Sequence, residues 1–236
     1  YYTNTNTMNC FKLFDFNIPN ISEDESSDSG DDTQNKDKKL YNIQMFGINE
    51  KGETLSLMVE GYTPFFYIKV DDKWNESIKR RFLSFIIQRI GYYYEDSILS
   101  CKLVKKHKLY GFDANKLHNF IEFKFKNIGV FNKVKYIWYK GGKIVPFLYN
   151  KTYTELYEAN IPPILRYFHI QNISPSGWIE IPEKYVKESF SKTTTCTYEY
   201  SIEYCDVIPL NDKETIVPYK ICSFDIEASS SHGDFP

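Results

Sequence analysis

Residues 219–236 read YKICSFDIEASSSHGDFP, and Ser223-Phe224-Asp225-Ile226-Glu227 alternates apolar and acidic side chains. Side chains leave a strand on opposite faces with a period of two. A strand over 223–227 therefore buries Phe224 and Ile226 and sends Asp225 and Glu227 out together. Two neighbouring carboxylates are hard oxygen ligands, suited to Mg²⁺ or Mn²⁺ and through them to a phosphate substrate. That makes the pair a candidate phosphodiester nuclease centre. The same alternation also fits the solvated face of a half-exposed antiparallel strand, so the residues upstream must decide between the two.

The chain has 236 residues, enough for a sizeable core in one large or two small domains. Hydrophobic residues make up 42% and charged residues 25%, an ordinary balance for a globular protein. No apolar run approaches the ~20 residues of a membrane span, and no secretory signal pattern opens the sequence. The five cysteines (Cys10, Cys101, Cys196, Cys205, Cys222) form no CxxC pair and no zinc spacing, which fits a reducing compartment. His107, His118, His169 and His232 show no ligand pattern.

The net charge of −2 conceals two opposed segments. Residues 22–39 hold seven acidic and three basic side chains, and their low hydrophobicity predicts a disordered insert. Residues 102–143 hold eleven lysines against Asp113 and Glu122 alone. That cationic stretch either draws a polyanion such as nucleic acid or forms a solvated lysine face.

Strands are expected at 10–18, 40–48, 53–60 and 64–70, then an amphipathic helix from Trp74 to Ile90 with Ile78, Phe82, Phe85, Ile86 and Ile90 at helical spacing. Strands near 98–109 and 119–126 and a second helix over 127–140 complete a β, α, β, β, α order. This is the order of the split βαβ sandwich of ferredoxin-like and RNA-recognition modules. Gly141-Gly142 marks a break. Pro162 then opens a helix with Ile164, Leu165 and Phe168 as its apolar face, followed by a short strand from Trp178 to Ile181. Over 195–208, Tyr198, Tyr200, Ile202 and Tyr204 alternate with Thr197, Glu199, Ser201 and Glu203, which predicts a half-exposed antiparallel strand. Asn211 to Glu214 turns the chain toward Asp225.

Three stretches in this order resemble the N-terminal region of B-family replicative DNA polymerases. They are MFGINEKGETLSLMVEGYTPFFYIKV at 45–70, YEANIPPILRYFHIQNISPSGWIEIP at 157–182 and SFDIEAS at 223–229. The first resembles the strand pattern of the family's N-terminal domain. The second resembles a helix and Gly-Trp turn that precede the first exonuclease motif, and the third resembles that motif. The similarity is greatest to the polymerase delta-like branch and to enzymes of large DNA viruses.

The resemblance implies an α+β fold. A β-rich N-terminal polymerase domain with a ferredoxin/RRM-like βαββα portion precedes the first strands of an RNase H-like exonuclease domain. The expected divisions are a frayed end and strand at 1–21, the acidic insert at 22–39, the N-terminal β/RRM-like domain at 40–150, a connecting helix and turn at 151–194, and the truncated start of the 3′–5′ exonuclease at 195–236. It further implies a parent enzyme that adds deoxynucleotides to a primer 3′ end and proofreads with two divalent ions, Mg²⁺ or Mn²⁺. Asp225 matches the carboxylate shared by both ions, and Glu227 the one that holds a single ion and orients water. This chain alone is expected to be catalytically incomplete.

Lys102, Lys105, Lys106 and Lys108 are candidate contacts to template phosphates, and Arg166 is expected to form a structural ion pair. The implied partners are primer and template DNA, the remaining polymerase domains and a sliding clamp, with no membrane. The implied location is intracellular, in a nucleus or viral replication compartment, and not secreted. The alternative is a stand-alone single-stranded nucleic-acid-binding or structural module derived from a polymerase.

Overall fold

The computed structural model describes residues 9–19, 40–108, 111–188 and 192–225. The acidic insert expected at 22–39 lies outside the described residues, as do Ile226 and Glu227. Two large sheets carry most of the described residues, each with its own core.

The first sheet contains β1 (Cys10–Asn17), β2 (Ile43–Ile48), β3 (Thr54–Glu60), β11 (Trp178–Glu180), β12 (Lys187–Glu188), β13 (Tyr198–Glu203) and β14 (Ile208–Leu210), in the order β12-β13-β3-β2-β1-β11-β14. Alternate residues of the central strands are fully buried: Phe11 and Leu13, Ile43 and Met45, Leu55, Leu57 and Val59. One face packs on Tyr167 and Phe168 of the helix Pro163–Gln171. Gly47 sits where a Cβ would lie 3.1 Å from the Cβ of Phe11 and 3.2 Å from the carbonyl oxygen of Lys12. Only glycine fits between β1 and β2 there without a shift.

The second sheet contains β4 (Phe65–Lys69), β5 (Ile98–His107), β6 (Leu117–Phe125), β9 (Phe147–Tyr149) and β10 (Thr152–Tyr157), in the order β5-β6-β4-β10-β9. Helices α1 (Glu76–Ile90) and α2 (Ile128–Lys135) connect its strands. The path β4-α1-β5-β6-α2-β10, with every neighbouring pair antiparallel, completes the split βαβ sandwich predicted from sequence. Asn75 and Asn127 cap the two helices, each accepting a hydrogen bond from the backbone N–H three residues on. Phe66, Ile68, Phe82, Ile86, Phe123, Phe131 and Trp138 fill the layer between sheet and helices.

The structure corrects several expectations. The helix predicted over 127–140 stops at Lys135 and tightens into a 3-10 turn at 136–138. There the buried Trp138 indole N–H donates to the carbonyl and hydroxyl oxygens of Thr154, both at 3.1 Å. Gly141-Gly142 is a two-residue hairpin turn joining β7 (Tyr139–Lys140) to β8 (Lys143–Ile144), with positive φ at both glycines.

Helix α3 (Pro163–Gln171) uses Pro162 as its cap and Pro163 as its first residue. That register buries Tyr167 and Phe168 and leaves Leu165, expected in the apolar face, 43% exposed. Strand β13 pairs antiparallel with β12 but parallel with β3. Alternation reports a half-exposed face and is silent on strand direction, hence the difference.

The two cores meet at Ile128, which packs against both. The backbone bond from Tyr41 N–H to the Lys126 carbonyl, at 3.1 Å, also ties them. Among the described residues no helix is long and apolar enough to cross a membrane.

Candidate functional site

The approach to Asp225 is built from the first sheet outward. Trp178, 1% exposed in β11, donates its indole N–H to the carbonyl of Thr215 at 3.1 Å. Val217 is 4% exposed and packs with Trp178 and Ile48. Lys213 Nζ lies 4.4 Å above the Trp178 ring and 2.7 Å from Glu50 Oε1, and this contact lowers the Glu50 carboxyl below its ordinary pKa. Asn211 donates to the carbonyl of Asn172 at 3.0 Å. Residues 211–217 are thereby fixed along the edge of the first sheet.

Beyond Val217 the surroundings change. Ile221 and Phe224 are 89% and 80% exposed, and Asp225 is exposed. The strand expected over 223–227 is not formed at 223–225. A strand needs a hydrogen-bonded neighbour, and none of the described strands pairs with these residues.

The donor chemistry of Asp225 and Glu227, two carboxylates two residues apart, fits a hard divalent cation. Among the described residues no cluster of three or more His, Cys, Asp or Glu side chains is arranged to hold a metal ion.

The four candidate lysines divide between two faces. In β5, Cys101 and Leu103 pack toward the helices, so Lys105 shares their side of the strand while Lys102 and Lys106 leave from the opposite one. Lys102 stands opposite Glu122 in the β5–β6 register, and Lys106 Nζ lies 4.6 Å over the Tyr67 ring. Lys108 is 3.6 Å from Asp113, whose carboxyl is held below its ordinary pKa chiefly by the hydrogen bond with His118 at 2.5 Å. Lys108 is therefore partly neutralised, and Lys102 and Lys106 are the pair on the open side.

That open side carries an aromatic row which sequence reasoning left unassigned. Phe65, Tyr67, Phe120 and Tyr157 touch in succession, at ring-centroid separations of 5.6, 6.3 and 5.2 Å. A cavity of about 410 Å³ opens beside Tyr67, Lys106, Leu117, Phe120 and Tyr157. The signal was present as aromatic residues at every second position of β4, which the helix-facing Phe66 and Ile68 interleave. Arg166 pairs with Glu158, its guanidinium 5.2 Å from the centre of the Phe65 ring.

A second unanticipated feature lies before β13. Glu199, expected on the solvent face, is 9% exposed. Its carboxylate accepts the Thr194 hydroxyl and N–H, both at 2.6 Å, and the Thr193 N–H at 2.9 Å. Those bonds, the Thr194 hydroxyl first, hold its pKa at about 2.

The architecture is mixed α+β, a split βαβ sandwich beside a larger strand-rich sheet. Over 89% of this chain and 21% of the other, it superposes with a TM-score of 0.55 on the family B DNA polymerase of the hyperthermophilic archaeon Pyrobaculum calidifontis, at 16% identity. Residues 154–236 match the DNA polymerase family B exonuclease domain. The chain is homologous to the N-terminal part of family B DNA polymerases.

Curated relatives include the DNA polymerase of Phaeocystis pouchetii virus, 49% identical across 96% of this chain and 23% of that protein. The DNA polymerase of Acanthamoeba polyphaga mimivirus is 31% identical across 98% of this chain and 13% of its own length. The DNA polymerase delta catalytic subunit of Dictyostelium discoideum is 27% identical across 82% and 18%. The chain thus spans less than a quarter of the length of these relatives.

Proposed function

We propose that this chain is the N-terminal piece of a DNA polymerase that extends a primer 3′ end and proofreads it with a 3′–5′ exonuclease. The observation that carries the reading is the match of residues 154–236, which include Asp225 and Glu227, to the family B exonuclease domain.

Asp225 and Glu227 are the chain's contribution to the exonuclease centre. Their carboxylates would hold Mg²⁺ or Mn²⁺, which in a two-ion site supplies Lewis acidity for water attack and for release of the 3′ oxygen. Trp178, Lys213 and Val217 do the positioning, because they fix the segment that leads to Asp225. The split βαβ domain is the scaffold on the template side, with Lys102 and Lys106 meeting phosphates without regard to sequence. DNA, the remaining polymerase domains and a sliding clamp are its partners, inside the cell at the site of replication. By itself the chain is inactive, since two carboxylates are less than a two-ion site requires.

Primer extension tests this reading. A chain continuing past Pro236 should lengthen a labelled primer on a template when deoxynucleotides and Mg²⁺ are present, and shorten it when deoxynucleotides are withheld. The 236-residue chain should do neither. Failure of the longer chain in both reactions, or digestion by the short one, contradicts the assignment.

A further inference from the structure

The helical side of the second sheet carries a basic and aromatic surface that the reading above does not use. Arg89 stands exposed in the last turn of α1, and α2 ends in Lys133 and Lys135 before the turn at 136–138. Between the two helix ends lies a shallow cavity of about 410 Å³, lined by Arg89, Ile90, Lys133, Tyr136, Ile137 and Tyr139, with no carboxylate among them.

Tyr136 is 56% exposed and meets Tyr139 edge-on at 5.0 Å. Lys135 Nζ lies 5.9 and 5.8 Å from the centres of those two rings, and Lys133 Nζ 4.7 Å from that of Tyr94. Among the described residues, no carboxylate lies within 4.0 Å of the side-chain nitrogens of Arg89, Lys133 or Lys135.

Basic residues in a last turn complement a helix C-terminus. That accounts for Arg89 at the end of α1 and for Lys133 and Lys135 at the end of α2, each taken by itself. It leaves unexplained why cations from two helices line one hollow with no carboxylate in its wall, beside the exposed Tyr136 and the half-buried Tyr139. Like charges held together repel unless an anion lies between them, and an exposed ring beside them offers a face to a nucleobase.

We propose that this cleft between α1 and α2 binds single-stranded nucleic acid, with a phosphate between Arg89 and Lys133 and a base stacked on Tyr136. Recognition is of backbone and base face, hence independent of sequence. The cleft opens on the helices and the Lys102/Lys106 face on the far side of the sheet, so the two sites are separate.

Anisotropy of a fluorescein-labelled 16-residue oligothymidylate, titrated with the 236-residue chain, tests the cleft once the sheet face has been silenced. In a Lys102→Glu/Lys106→Glu background, binding at 50 mM salt should persist. Adding Arg89→Glu and Lys133→Glu should then weaken it at least tenfold and flatten its salt dependence, each lost phosphate contact removing about 0.7 from the log–log slope. Tyr136→Leu should weaken binding about fivefold or more, while Tyr136→Phe stays within twofold, because stacking needs the ring and not the hydroxyl. Unchanged melting of these surface variants keeps the comparison one of binding.

Three results overturn the proposal: loss of all binding in the background variant, residual binding indifferent to Arg89 and Lys133, or equal affinity for a 16-base-pair duplex. The first leaves the sheet-face reading of the template contact standing. Absence of binding by the unaltered chain removes both DNA contacts.

Discussion

Glu199 accepts hydrogen bonds from two consecutive threonines, and its charge is stabilised only while those donors are in place. Its folded pKa of about 2 lies below the ordinary 4.5. The unfolded chain therefore takes up the proton first as pH falls. Stability from Glu199 is fully present above about pH 4.5 and is lost between there and about pH 2. Glu199→Gln should lower the melting temperature at pH 7 by a few degrees, and the gap to the unaltered chain should close on acidification from pH 5 to 3, followed by circular dichroism. A gap that widens on acidification contradicts the cradle. At Trp138 the expected loss is different in kind. Trp138→Phe removes the N–H shared by two Thr154 oxygens in a fully buried site, and should cost about 1–3 kcal/mol by urea denaturation, with little pH dependence.

Among the elements, those with a strong period were legible in sequence. α1 has apolar residues at helical spacing and an asparagine at its start, and it forms where expected; Asn75→Ala should cost about 1 kcal/mol of stability in urea. β2, β3 and β4 sit between turn residues and were found within a few positions. What alternation omits is the partner. It did not reveal that β13 runs parallel to β3, nor that Glu199 meets a threonine loop, because both depend on residues far along the chain or on the shape of a loop. Asp225 and Glu227 are proposed from the motif, and among the described residues no strand is formed at 223–225. The anchor upstream was missed, because Trp178 and Val217 are 39 residues apart and meet only in the fold. Val217→Asp should free the segment: amide hydrogen exchange at residues 213–219 should rise at least tenfold while β2 and β3 stay protected. Uniform loss of protection across the first sheet would instead mean that Val217 supports the core as a whole.

For the whole molecule, a sequence close to neutral divides into parts with separate tasks. The first sheet carries the residues that fix the path to Asp225, and the second carries cations on both of its faces. The overall charge of −2 says little about where a polyanion would bind, since lysines of β5 and α2 are concentrated on one sandwich. Binding of DNA by this chain should accordingly fall steeply with salt, on the order of tenfold or more between 50 and 200 mM for several phosphate contacts.

The most direct measurement is the rate at which a mismatched primer 3′ end is removed, in Mg²⁺, by a chain extended past Pro236, with and without Asp225→Ala or Glu227→Ala. The account predicts that each substitution slows excision at least a hundredfold while primer extension is retained. Excision that survives both substitutions, or extension lost in parallel with it, would contradict the placement of Asp225 and Glu227 in a proofreading centre.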